Sequence, residues 1–140
     1  MARPDEELLE RAFESLDTAI RAVVGTNGPL IPFAAILAAD GEVSLIAFQS
    51  GRTPEEARQQ ARAHVASTVN CVLYTIAADG GITENGTRYP VVMIECGRRG
   101  DAHGFSFVQR FASTPQAKFA EPIRNPSIID QPPILGPALG

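Results

Sequence analysis

Residues Val69–Ala112 read VNCVLYTIAADGGITENGTRYPVVMIECGRRGDAHGFSFVQRFA, and this stretch decides the fold. Three mostly apolar runs lie in it: Val69–Ala78, Pro90–Cys96 and Phe105–Ala112. They are rich in β-branched and aromatic residues. Turn-forming residues separate them: Asp79-Gly80-Gly81, Asn85-Gly86 and the segment Gly97–Gly104. Runs of that kind with that punctuation predict an antiparallel three-stranded meander.

Upstream, the sequence predicts a helix, a hairpin and a second helix. Pro4 suits a first helical position, and Asp5, Glu6 and Glu7 suit the positive end of a helix dipole. Leu9, Phe13, Leu16, Ile20 and Val23 recur at spacings of three and four and predict one apolar stripe, widened by Leu8, Ala12, Ala19 and Val24. Glu7 with Arg11, and Asp17 with Arg21, stand at i,i+4 in the favourable order. Gly25, Asn27, Gly28 and Pro29 end the helix. Ile31–Ala39 is apolar on both faces, which predicts a central or closely covered strand. Asp40-Gly41 is a hairpin signal, and Val43–Gln49 is the return strand.

Thr53-Pro54-Glu55-Glu56 is a helix start. The threonine hydroxyl can accept from the amide of Glu56, and proline fills a position whose N–H would be unpaired anyway. This helix should run to about Ser67, with Ala57, Ala61, His64, Val65 and Thr68 on its inner face. The tripeptide Ala-Asp-Gly occurs at Ala39–Gly41 and again at Ala78–Gly80. It marks either a helix–strand–turn–strand repeat or two unrelated turns.

After Ala112 the composition changes. Residues 113–140 hold Pro115, Pro122, Pro126, Pro132, Pro133 and Pro137, a density that argues against helix and ladder strand. Phe119, Ile123, Ile128, Ile129, Ile134, Leu135 and Leu139 are too apolar for a solvated tail. The expected organisation is an α+β domain over 1–112 and an extended arm over 113–140. The arm packs on the domain or on a neighbouring subunit.

Composition narrows the function. The 140 residues are 44% hydrophobic and 20% charged, which suits one domain with an ordered core. The net charge of −4 shows no basic footprint of the kind nucleic acid requires, so no nucleic-acid partner is expected. No apolar run approaches ~20 residues, so no membrane span is expected. The acidic amino-terminal segment lacks a signal-peptide pattern, and two cysteines make no disulfide scaffold. A cytoplasmic home is the resulting expectation. The phosphate-loop, dinucleotide and nucleophile-elbow patterns are missing, and two histidines without Cys-x-x-Cys cannot close a zinc site. No cofactor and no metal are expected.

Several residues are candidates for chemistry. Glu95 interrupts an apolar strand, either as a general base or as one half of an ion pair. Cys96 and His103 flank a loop containing Asp101, a composition that nucleophilic catalysis can use. A buried cysteine is also an ordinary small apolar residue. Arg110 should fall opposite the start of Pro90–Cys96, near Arg88. Two arginines at one end of a sheet could bind a phosphate or carboxylate, and separate solvated arginines are the plainer alternative. Arg98-Arg99 reads as a basic loop tip.

The order helix, hairpin, helix, three-stranded meander over Pro4–Ala112 resembles the roadblock/LC7 arrangement and, more loosely, the profilin-like sandwiches. The pieces Tyr74–Thr83, Ile94–Gly100 and Phe107–Phe111 are also similar to small bacterial proteins of no assigned function. These resemblances imply a fold and carry no mechanism.

The expected architecture is therefore one antiparallel sheet of about five strands in the order α-β-β-α-β-β-β. Two helices lie on one face, and the proline-rich arm or another subunit covers the other. The expected function is a binding or assembly module, homo-oligomeric or with a protein partner. The alternative is a small enzyme or ligand sensor with its site around Glu95, Cys96 and His103.

Overall fold

A computed structural model of the chain describes residues 6–24, 30–48, 53–101, 104–113, 118–120, 129–131 and 135. Helix α1 spans Glu6–Val23, strand β1 Phe33–Ala38, β2 Val43–Ala47 and helix α2 Pro54–Ser67. The meander follows as β3 Cys71–Glu84, β4 Thr87–Arg98 and β5 Gly104–Ser113. The α+β class, the five long antiparallel strands and the element order all match the sequence reading. Among the described residues no helix is long and apolar enough to cross a membrane.

The strands stand in the order β2-β1-β3-β4-β5. Because β2 and β3 flank β1 and both run antiparallel to it, they are parallel to each other. Parallel strands cannot be joined by a tight turn, so α2 makes the crossover. It packs on β3 and β1, whereas α1 packs on β4 and β3.

The two helices lie on opposite faces of the sheet, which corrects the expectation that they share one. Residues paired across antiparallel strands point to the same side, and side chains alternate along each strand. Thr75 pairs with Cys96, and Thr75 hydrogen-bonds Ser15 of α1. Ile76 pairs with Glu95, and Glu95 accepts from Arg58 of α2. Two cores result. Leu8, Leu16, Leu73, Ile94, Phe105 and Phe107 meet under α1. Ile36, Ala61, Val65, Tyr74, Ile76 and Leu135 meet under α2. The physical reason is visible in β1 and β3, which are apolar on both sides and need a cover on each.

Helix α1 is rotated relative to its predicted stripe. Leu8, Ala12, Ser15, Leu16 and Ala19 are buried, while Phe13 is 40% exposed. The small side chains let the helix lie close to the sheet. Phe13 sits at the border, its ring centroid 5.4 Å from that of Phe107. Asp17 pairs with Arg21 at 2.8 Å as expected. Glu7 instead reaches Arg98 across the fold at 2.9 Å.

The meander has one tight turn fewer than the sequence suggested. Asp79-Gly80-Gly81 lies inside β3, and the turn falls at Asn85 (φ 51°) and Gly86 (φ 79°). The Asp79 carboxylate accepts the Leu30 amide at 2.9 Å, which anchors the approach to β1. The two Ala-Asp-Gly copies are therefore unrelated: only Asp40-Gly41 makes a hairpin, with Asp40 accepting from the Glu42 amide at 2.9 Å. Thr53 caps α2 as predicted, accepting from the Glu56 amide at 3.2 Å.

The proline-dense region does form ladder strands, contrary to expectation. Triplets β6 (Lys118–Ala120) and β7 (Ile129–Gln131) both pair with β5, β6 at Phe111–Ser113 and β7 at Gly104–Ser106. Every proline of the arm falls outside these triplets. No ladder N–H is lost, and edge positions tolerate such neighbours.

Candidate functional site

Glu95 is the most enclosed charge among the described residues, with 2% exposure. It projects from the last third of β4 toward α2. Arg58 and Arg62 stand one helical turn apart on the edge of the α2 face that packs on the sheet. Arg58 Nε donates to Glu95 Oε2 at 3.0 Å, and Arg62 Nε lies 3.8 Å from Oε1. Glu95 Oε1 accepts no hydrogen bond among the described residues. Beside this clamp, the Tyr74 ring covers Gly97, its partner across the ladder. A Cβ on Gly97 would lie 2.8 Å from that ring. Burial, and then the charge of Glu95, raise the Tyr74 hydroxyl above its ordinary pKa.

Cys96 points the other way, into the apolar core under α1. Consecutive strand residues face opposite sides, so the sheet itself separates the thiol from the Glu95 carboxylate. Burial, helped by the Glu95 charge, pushes the Cys96 thiol up to about 12. At neutral pH it is therefore the neutral thiol, enclosed in apolar surroundings. Burial likewise raises Cys71. His103 lies outside the described residues. His64 is half-buried and stands edge-on to Phe48 at 5.7 Å.

Arg88 and Arg110 do not converge. Arg110 pairs with Val91 in register, as the sequence predicted. Its guanidinium lies 4.1 Å over the Tyr89 ring and 3.0 Å from Glu84. Arg88 projects from the other face, over Gly81. Arg99, expected in a free loop tip, donates to the carbonyls of Cys71 at 2.7 Å and Thr68 at 3.2 Å. It staples the α2–β3 turn. Among the described residues no group of three or more His, Cys, Asp or Glu side chains could hold a metal ion.

The feature that sequence reasoning did not single out is the free margin of β2. Ala38 N donates to Glu42 O, and Phe48 N donates to Pro32 O, each at 2.8 Å. Residues 42, 44, 46 and 48 thus turn their backbone groups toward β1. Alternation then turns the N–H and C=O of Val43, Leu45 and Ala47 outward. Among the described residues no strand pairs with them. The same residues carry apolar side chains on the α1 face, and Val43 and Leu45 are 52% and 62% exposed. A groove of about 310 Å³ runs beside them, walled by Thr18 and Ala22 of α1, by Leu30, Ile31 and Phe33, and by Leu45 and Ala47. One signal for this margin was present in the sequence: Val43–Gln49 carries neither charge nor proline.

Comparison with protein-family models, with curated protein sequences and with solved structures gave no match.

Proposed function

We propose that this protein is a non-catalytic assembly module that forms a homo-oligomer through the free margin of its sheet. One observation carries the reading: on β2 the outward backbone groups and the exposed apolar side chains belong to the same three residues, Val43, Leu45 and Ala47. An open edge is a template for pairing, and monomeric proteins blunt theirs with charge, proline or a bulge. This one carries none of these between Val43 and Phe48. The candidate charges elsewhere are engaged with their own chain: Glu95 with Arg58, Arg110 with Glu84, and Arg99 with backbone carbonyls.

Size-exclusion chromatography with light scattering tests the reading. The wild-type chain should run at a multiple of 14.9 kDa. Leu45→Lys, which places a charge on the margin without touching either core, should run as a single chain with an unchanged circular dichroism spectrum. A wild-type protein that stays at the mass of one chain up to its solubility limit refutes the proposal.

A further inference from the structure

The geometry of the margin points to a specific partner and register. We infer that two copies join β2 to β2 in antiparallel fashion, about a twofold axis that passes through Leu45. This rests on the assembly reading above and goes beyond it by fixing which atoms meet.

The argument begins with the outward residues. In an antiparallel pair, an outward-facing residue must oppose an outward-facing residue. An axis at Leu45 sets Leu45 against its own copy and Val43 against Ala47 of the other chain. The set Val43, Leu45, Ala47 then maps onto itself. Each copy supplies three N–H donors and three carbonyls, so six hydrogen bonds close the seam. An axis at Ser44 would leave Ala47 opposite Gly41, in the hairpin turn. An axis at Ile46 would leave Val43 opposite Gln49, beyond the strand. Only the Leu45 register uses every free group.

Side chains agree with the backbone. A twofold axis perpendicular to the sheet keeps the two α1 faces on one side. Leu45 then lies beside Leu45 of the second copy. Val43 of each copy lies beside Ala47 of the other, at the mouth of the groove walled by Ala47, Leu45 and Ile31. Ile31 is itself 45% exposed. Within the strand pair no like charges meet, because the strand is uncharged from Val43 to Phe48 and Glu42 falls opposite Phe48. A strand pair alone buries little surface. The paired grooves add apolar surface beside the seam, and a stable interface needs about 800 Å² per partner in all.

Engineered disulfides test the register in the full-length protein. Hydrogen-bonded antiparallel neighbours have Cα atoms about 5.5 Å apart, within the span a disulfide tolerates. Under mild oxidation, Leu45→Cys should convert to a covalent dimer. Val43→Cys alone should not, because it lies four residues from its own copy, about 13 Å along the strand. Val43→Cys mixed with Ala47→Cys should give a linked pair. The native Cys71 and Cys96 are buried and leave the gel readable. Failure of Leu45→Cys to link, or efficient self-linking of Val43→Cys, overturns the register. Light scattering on the same samples separates the two ideas. A dimer that does not link at Leu45 sinks this inference alone, and a single-chain mass sinks the assembly reading as well.

Discussion

Removing the Glu95 carboxylate is the sharpest perturbation of the fold. Arg58 is 15% exposed in its side chain; in Glu95→Ala it loses its 3.0 Å partner and keeps only the exposed Glu55 carboxylate at 3.5 Å, so a guanidinium is left against the sheet with little compensation. Breaking a buried pair from one side costs about 3–5 kcal/mol. Arg58→Ala should cost a similar amount, because Glu95 is even less exposed. Arg62 is farther away, at 3.8 Å, and its side chain is 30% exposed. Arg62→Ala should therefore cost about 1 kcal/mol, the scale of a partly solvated pair. The decisive variant replaces both partners with apolar groups. Arg58→Met with Glu95→Leu removes the desolvated charges together, and such exchanges are often neutral or stabilising. The chain has no tryptophan, so urea unfolding is best followed by far-ultraviolet circular dichroism. Chain concentration must be held fixed, since association adds to apparent stability. With a slope of about 2 kcal/mol per molar urea, the single Glu95 variant should lose roughly 1.5–2.5 M from its midpoint. A loss below about 0.5 M, or a double variant worse than both singles, refutes the reasoning.

Three further outcomes follow from the two cores. Gly97→Ala forces a methyl group against the Tyr74 ring and should destabilise by about 1–3 kcal/mol in thermal melts, with Tyr74→Leu in the same chain recovering part of the loss. Ser15→Ala orphans the buried Thr75 hydroxyl and should cost about 1–3 kcal/mol, while adding Thr75→Val should restore most of it in the same denaturation assay. Cys96 titrates at about 12 in the fold against about 8.5 in an unfolded chain, so its contribution is complete below pH about 8.5 and declines as pH rises toward about 12. Urea midpoints should fall between pH 8 and pH 10, and a thiol reagent should label the native protein far more slowly than the unfolded one.

Much of this fold was legible because local rules and global structure agree. The Thr53 cap, the Asp40-Gly41 turn and the two-sided apolarity of β1 each survive intact. What escaped has physical causes. Apolar periodicity weights a helix by its largest residues, so Phe13 drew the α1 stripe toward itself, although Ala12, Ser15 and Ala19 make the contact. Asp79-Gly80-Gly81 carries turn chemistry, yet the Leu30 amide satisfies the aspartate and the strand runs on. The carboxylate clamp was half visible: Glu95 stood out, but Arg58 and Arg62 sit on a helix edge that periodicity scores as solvent. The separation of Glu95 from Cys96 needed no structure, since adjacent strand residues always part.

The far flank of the sheet would set how large the proposed assembly can grow. There, β6 and β7 lie against both ends of β5, at Phe111–Ser113 and Gly104–Ser106, and so cover part of that second margin. If the β2 margins pair as proposed, a flank covered in this way favours a finite pair with point symmetry over a fibre. On that reading the two arm strands would act as a terminator of polymerisation. A chain cut after Ser113 would have two sticky flanks and should grow into filaments.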